Sequence, residues 1–110
     1  MPVYFLLLQF LGGAFLANGV PHFVQGISGS PFQSPFAKPP GLGESSPVVN
    51  VLWGFANLVA GALLLHFFWP QGRTPAAGWI AVGAGALLLA VQMAAHFGKV
   101  RARSPRSQKV

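Results

Sequence analysis

The chain has no cysteine and, in 110 residues, a single acidic residue, Glu44. The first absence removes disulfides, thiol nucleophiles and cysteine metal ligands. The second removes the paired carboxylates of acid–base catalysis. Charge of either sign is scarce. Asp, Glu, Lys and Arg make up 7% of the residues, against about 25% in a soluble domain. None of them falls inside a long apolar run, so the intramembrane ionised groups of proton-coupled and cation-exporting carriers are missing. There is no phosphate-cradling glycine loop with its Lys, and no Ser/His/Asp set for nucleophilic attack.

What remains is apolar. Hydrophobic residues make up 53% of the chain, gathered in three uncharged stretches. The first runs from Val3 to Val20, roughly 27 Å as a helix. Pro2 suits a first helical position, and Asn18-Gly19 followed by Pro21 is a stop signal. No Lys or Arg precedes this run, and Ala17-Asn18-Gly19 is a poor cleavage junction, so the stretch reads as a membrane helix rather than a cleaved leader. The second runs from Pro47 to Trp69, with Ser46 as cap, Pro47 as first residue and Pro70 as terminator. The third repeats the device with Thr74 and Pro75 and ends near Gly98. Its length of about 24 residues spans a bilayer. The short Pro70–Arg73 connection predicts an antiparallel hairpin of helices two and three.

The basic residues are placed unevenly. Lys99, Arg101, Arg103, Arg106 and Lys109 all follow the third stretch. A positive cluster there marks the cytoplasmic side. With three crossings the N-terminus lies outside, Lys38 joins the inner side and only Arg73 is outer. The expected fold is therefore all-α and integral to the inner (plasma) membrane. Helix 1 covers 1–20, an ordered interfacial loop 21–46, helix 2 47–69 and helix 3 75–98, with a basic cytoplasmic tail over 99–110. The net charge of +6 does not point to nucleic acid, because it follows a membrane span rather than coating a soluble face; in the tail it also suits anionic lipid. Tyr4, Trp53, Trp69 and Trp79 fall near the expected helix ends, as interfacial aromatics do.

The segment Pro21–Ser46 is rich in Pro and Gly, which bars a continuous helix. It also carries Phe23, Phe32, Phe36, Val24 and Ile27, residues that disordered linkers lack. The near-repeat Ser30-Pro31-Phe32-Gln33-Ser34-Pro35-Phe36 sets two Phe-bearing turns four residues apart. The expectation is an ordered loop on the inner membrane surface.

Polar and small residues recur at helical spacing. Asn50, Gly54, Asn57 and Gly61 share one face of helix 2. Gly78, Gly85 and Gln92 are seven apart on helix 3, with Ala81, Leu89 and His96 beside them. Helix 1 offers Gln9, Gly12, Gly13 and Leu16, then Asn18 and His22. Lipid cannot satisfy an amide, so these faces are expected to turn inward in a three-helix bundle. Alternating helix direction then brings Asn18, His22, Asn50, Gln92 and His96 to similar depth beneath the loop. His66, beside Phe67, Phe68 and Trp69, reads as part of an aromatic belt.

Two readings of function follow, with a third behind them. The leading one is a non-enzymatic membrane protein acting by helix association, as an accessory subunit or homo-oligomer, through Asn50, Gly54, Asn57, Gly61, Gly78 and Gly85. The alternative is a pocket for a small amphiphile (a quinone, a lipid or haem), with His22, His96, Asn18, Asn50 and Gln92 as polar contacts and Phe23, Phe32 and Phe36 as a lid. Two histidines without a third ligand do not make a zinc site. The third reading, an oligomeric transporter or channel component, requires the Asn50–Gly61 face to line a pore.

Overall fold

The computed structural model describes residues 3–69 and 75–103. The Pro70–Arg73 connection, the Thr74 cap, Arg106 and Lys109 lie outside them. The elements are α1 (Tyr4–Ile27), β1 (Phe32–Gln33), β2 (Glu44–Ser45), α2 (Pro47–Phe67) and α3 (Pro75–Ala102). Each helix is long and apolar enough to cross a membrane.

The first helix does not stop at residue 20. It runs through Pro21 to Ile27, which corrects the boundary drawn at Asn18-Gly19-Val20-Pro21. Proline removes one backbone donor from a helix interior, and here packing of the following turns onto α2 outweighs that loss. The supposed stop residues serve other ends. Gly19 allows close helix contact, and the Asn18 side chain bonds Asn57. Termination comes at Gly29, whose φ of 78° suits glycine. Gly29 N–H donates to the Gly26 carbonyl and Ser30 N–H to the Gln25 carbonyl, the paired bonds of a Schellman end. Phe23, Val24 and Ile27 are therefore helical, and the loop begins at Ser28. At the other end of the chain α3 continues past Gly98, so Lys99 and Arg101 lie in its last turn, where cations favour the helix dipole.

α2 starts as expected: Ser46 Oγ accepts from Val49 N–H, with Pro47 in the first turn. Its four buried residues are Asn50, Gly54, Asn57 and Gly61. They meet a complementary row on α1. Gly12, Gly19 and Gly26 are seven apart, and they face Gly61, Gly54 and Pro47, also seven apart. A methyl group on Gly19 would lie 2.8 Å from the Gly54 carbonyl oxygen, and one on Gly54 would lie 2.5 Å from the Phe23 nitrogen. The two backbones are in direct contact along an antiparallel seam.

α3 packs on the opposite flank of α1. Gly13 abuts the Val82 carbonyl and Gly85 the Phe10 carbonyl, with no room for a side chain at either. α1 thus lies between α2 and α3, which do not pack along their lengths. The bundle therefore has α1 at its centre, and the direct packing of α2 on α3 that a close hairpin would give is not seen among the described residues. The reason is that α1 carries two small faces, one for each neighbour. α2 and α3 come together near the connection, where the Trp69 and Trp79 rings meet edge to face at 4.8 Å.

The loop is held by its own bonds. β1 and β2 pair antiparallel, Phe32 opposite Ser45 and Gln33 opposite Glu44. Ser34 Oγ and Ser45 Oγ are 2.5 Å apart. The Ser34 carbonyl accepts from Gly41 N–H, and the Pro39 carbonyl from Leu42 and Gly43 N–H.

Candidate functional site

Asn50 organises the end of the molecule where the loop sits. It is fully buried. Its Nδ2 donates toward the carbonyls of Phe32, Ser45 and Ser46 at 3.0–3.2 Å. One side chain of α2 therefore ties both short strands to the helix. With Nδ2 committed to carbonyls, Oδ1 is the atom that faces His22, 2.9 Å from Nδ1. An amide oxygen only accepts, so His22 Nδ1 carries the proton and donates. The neutral ring then keeps its lone pair on Nε2. At His96, Nε2 donates to the Gly41 carbonyl at 2.8 Å. His96 is otherwise exposed.

Between these groups lies a cavity of about 380 Å³, at the small end of the range of ligand pockets, about 300–1,000 Å³. α1 contributes Asn18 and His22, α2 contributes Trp53, α3 contributes His96 and Phe97, and the loop contributes Gln33, Ser34 and Gly41. No Asp, Glu, Lys or Arg lines it. Rings line part of it and pack on the buried Phe32 behind them. His22 lies 5.2 Å from Phe32 and 6.3 Å from Phe97, Phe32 lies 4.8 Å from Phe97, and all three contacts are edge to face. Phe32 is the one buried hydrophobic side chain among the described residues. The Arg101 guanidinium carbon stands 5.0 Å over its ring, within reach of a cation–π attraction. Phe36 packs on Trp53 at 5.1 Å while remaining largely exposed.

Not every polar group of the residues around this cavity is satisfied by the chain. Asn18 Nδ2 donates to Asn57 Oδ1 and Asn57 Nδ2 to the Trp53 carbonyl. By contrast, Trp53 Nε1 and Gln33 Oε1 are buried without a partner, although Gln33 is only 4% exposed. Such an orphan costs about 1–3 kcal/mol. A third buried orphan, Gln9 Oε1, lies at the opposite end of α1, where Gln9 Nε2 donates to the Phe68 carbonyl.

Of the residues singled out from the sequence, Asn18, His22 and His96 line the cavity, and Asn50 anchors it from behind. Gln92 does not reach it and is exposed. Gly78 and Gly85 are buried, but a straight helix drifts by about 20° per heptad, so the third member of that row rotates outward and Met93 and Phe97 take the inner positions. Phe23 belongs to α1, where its backbone meets Gly54, and is not part of a lid. The Asn50–Gly61 face is buried against α1, which leaves it unable to line a pore. Trp53, Gln33, Ser34 and Phe97 escaped the sequence reading. Trp53 carried a usable signal, since it lies three residues after Asn50 and four before Asn57, on the same helix face. Gln33 and Ser34 lie in a loop with no periodicity to read. No group of three His, Cys, Asp or Glu side chains converges among the described residues.

Compared with known proteins, the chain matches no family model, no curated protein and no solved structure.

Proposed function

We propose that this protein is a non-enzymatic multi-pass membrane protein that holds a small neutral amphiphile in the cavity beneath its loop. The observation that carries the reading is His22: buried, its tautomer set by Asn50, in the wall of a cavity lined by Trp53 and Phe97 rings and by no Asp, Glu, Lys or Arg. Side chains fixed by their own hydrogen bonds make a preorganised site. Lys38, Lys99, Arg101 and Arg103 lie at the cavity end, and this positive bias supports reading that end as cytoplasmic and the N-terminus as outer, in the plasma (inner) membrane. Native mass spectrometry of gently extracted protein tests the binding reading. A discrete small adduct is expected on the wild type and is lost in the His22→Ala, His96→Ala double variant. Bare protein in both would sink it.

A second reading rests on a separate observation. α3 is mostly exposed and presents Gln92 on its outer face. An amide facing lipid favours a helix partner, so association as a subunit or homo-oligomer is compatible with ligand binding. Extra protein mass in the same spectra supports it.

A further inference from the structure

Resting on the reading of the cavity as a binding site, we infer that its ligand is a neutral hydroxylated aromatic ring carried on one apolar chain, with the ring beneath the loop and the chain in the groove between α1 and α3.

The head follows from the polar atoms. His22 Nε2 is an acceptor, because Nδ1 donates to Asn50. An acceptor in a buried site calls for a hydrogen-bond donor on the ligand, and a hydroxyl supplies one without charge. A hydroxyl on the ligand satisfies His22. Charge is excluded by the lining, which contains no ionised side chain, since a charge in such a site is costly without a partner. The walls of His22, Trp53 and Phe97 favour a planar ring, which packs edge to face against them.

The chain follows from Phe97. This residue lines the polar cavity and also closes one end of a second, apolar groove of about 650 Å³. That groove runs along α3 past Ala94 and Ala90 to Gly83, opposite Ala17 and Pro21 of α1. From Gly83 to Phe97 the helix rises roughly 21 Å, the length of an extended chain of more than ten carbons. Its width comes from small residues: the space beside Gly83 is open. The groove and the polar cavity share the Phe97 ring as a wall, and a molecule with one polar and one apolar part, passing that ring, fills both.

Chain-bearing phenols and quinols share this chemistry. The test uses the full chain in lipid nanodiscs, with binding read from tryptophan fluorescence. The probes are 4-decylphenol, its methyl ether and 4-methylphenol. The phenol is expected to bind about tenfold tighter than the ether, which keeps the ring and chain and loses only the donor. Ala94→Phe, which fills the groove at an exposed position, is expected to weaken 4-decylphenol about tenfold and leave 4-methylphenol unchanged. Decylhydroquinone identifies the source. Binding tighter than the phenol supports a quinol; equal binding supports a simple phenol. Equal binding of phenol and ether overturns the head assignment, and indifference to Ala94→Phe overturns the chain assignment, while the cavity still stands as a site. If the wild type binds none of these probes and carries no adduct by mass, the functional reading falls with the inference.

Discussion

The two flanks of α1 are built differently. On the α2 side, Gly12, Gly19 and Gly26 meet Gly61, Gly54 and Pro47 in backbone contact, and Asn18–Asn57 and His22–Asn50 bonds cross the seam. On the α3 side, Gly13 and Gly85 make one close approach, and below it the helices part around an apolar groove. In lipid, apolar burial does not drive helices together; close packing and interhelical hydrogen bonds do. The α2 flank has both and fixes register. The α3 flank packs closely around Gly13 and Gly85 and has no hydrogen bond between the two helices among those the structure shows. The first is a scaffold and the second leaves room for a guest.

The contrast breaks most directly at the glycines. Gly54→Leu drives a side chain into the Phe23 backbone and is expected to cost about 3 kcal/mol or more. Gly83→Leu enters open space and is expected to change stability by no more than about 0.5 kcal/mol. Thermal unfolding in mild detergent, followed by circular dichroism, compares them. Equal melting of both variants would remove the distinction between the flanks. Next in size is Asn50→Leu. It strands the His22 Nδ1–H and loosens the Phe32, Ser45 and Ser46 carbonyls, at about 2–3 kcal/mol. The loop over 31–45 is then expected to become protease-sensitive while the helices persist. Protection of the loop equal to wild type would show that its own bonds suffice. Smaller again is the Asn18–Asn57 pair, for which a double-mutant cycle with alanine is expected to give a coupling of about 0.6–2 kcal/mol.

What the sequence makes legible is what obeys helical spacing. Asn50, Gly54, Asn57 and Gly61 sit at i, i+4, i+7 and i+11, and they are the residues α2 buries. Depth is legible too, because a chain that reverses at each crossing must bring His22 near Asn50 and His96. Three features are not legible, each for a physical reason. Pro21 reads as a stop because local rules weigh one lost donor and cannot see the α2 backbone packed against Gly19 and Gly26. The two-sided use of α1 is hidden because its small residues fall on adjacent faces, 12 and 13, which look like one broad face until both neighbours are placed. Gln92 reads as inward because it lies a heptad from Gly85, whereas the helix turns at 3.6 residues. The loop contributions, Gln33 and Ser34, depend on pairing with Glu44 and Ser45, a contact that no periodicity announces.

Gln92 supplies the finest test of the difference between the flanks. Its side chain makes no hydrogen bond among those the structure shows, and its position is exposed on a helix that is apolar for most of its length. Gln92→Leu is therefore expected to shift unfolding by less than about 0.5 kcal/mol, in contrast to Asn50 and Asn57, whose amides bond across or within the seam. The effect belongs instead to association. An amide carries both donor and acceptor, so two copies related by a twofold axis along the membrane normal satisfy each other at one depth. Energy transfer between labelled copies in vesicles is expected to fall in Gln92→Leu and to survive in Gln92→Asn, which keeps the amide. A loss of monomer stability would place Gln92 inside the fold after all. Unchanged energy transfer would leave α3's outer face to lipid, and the α3 flank would then serve the groove alone.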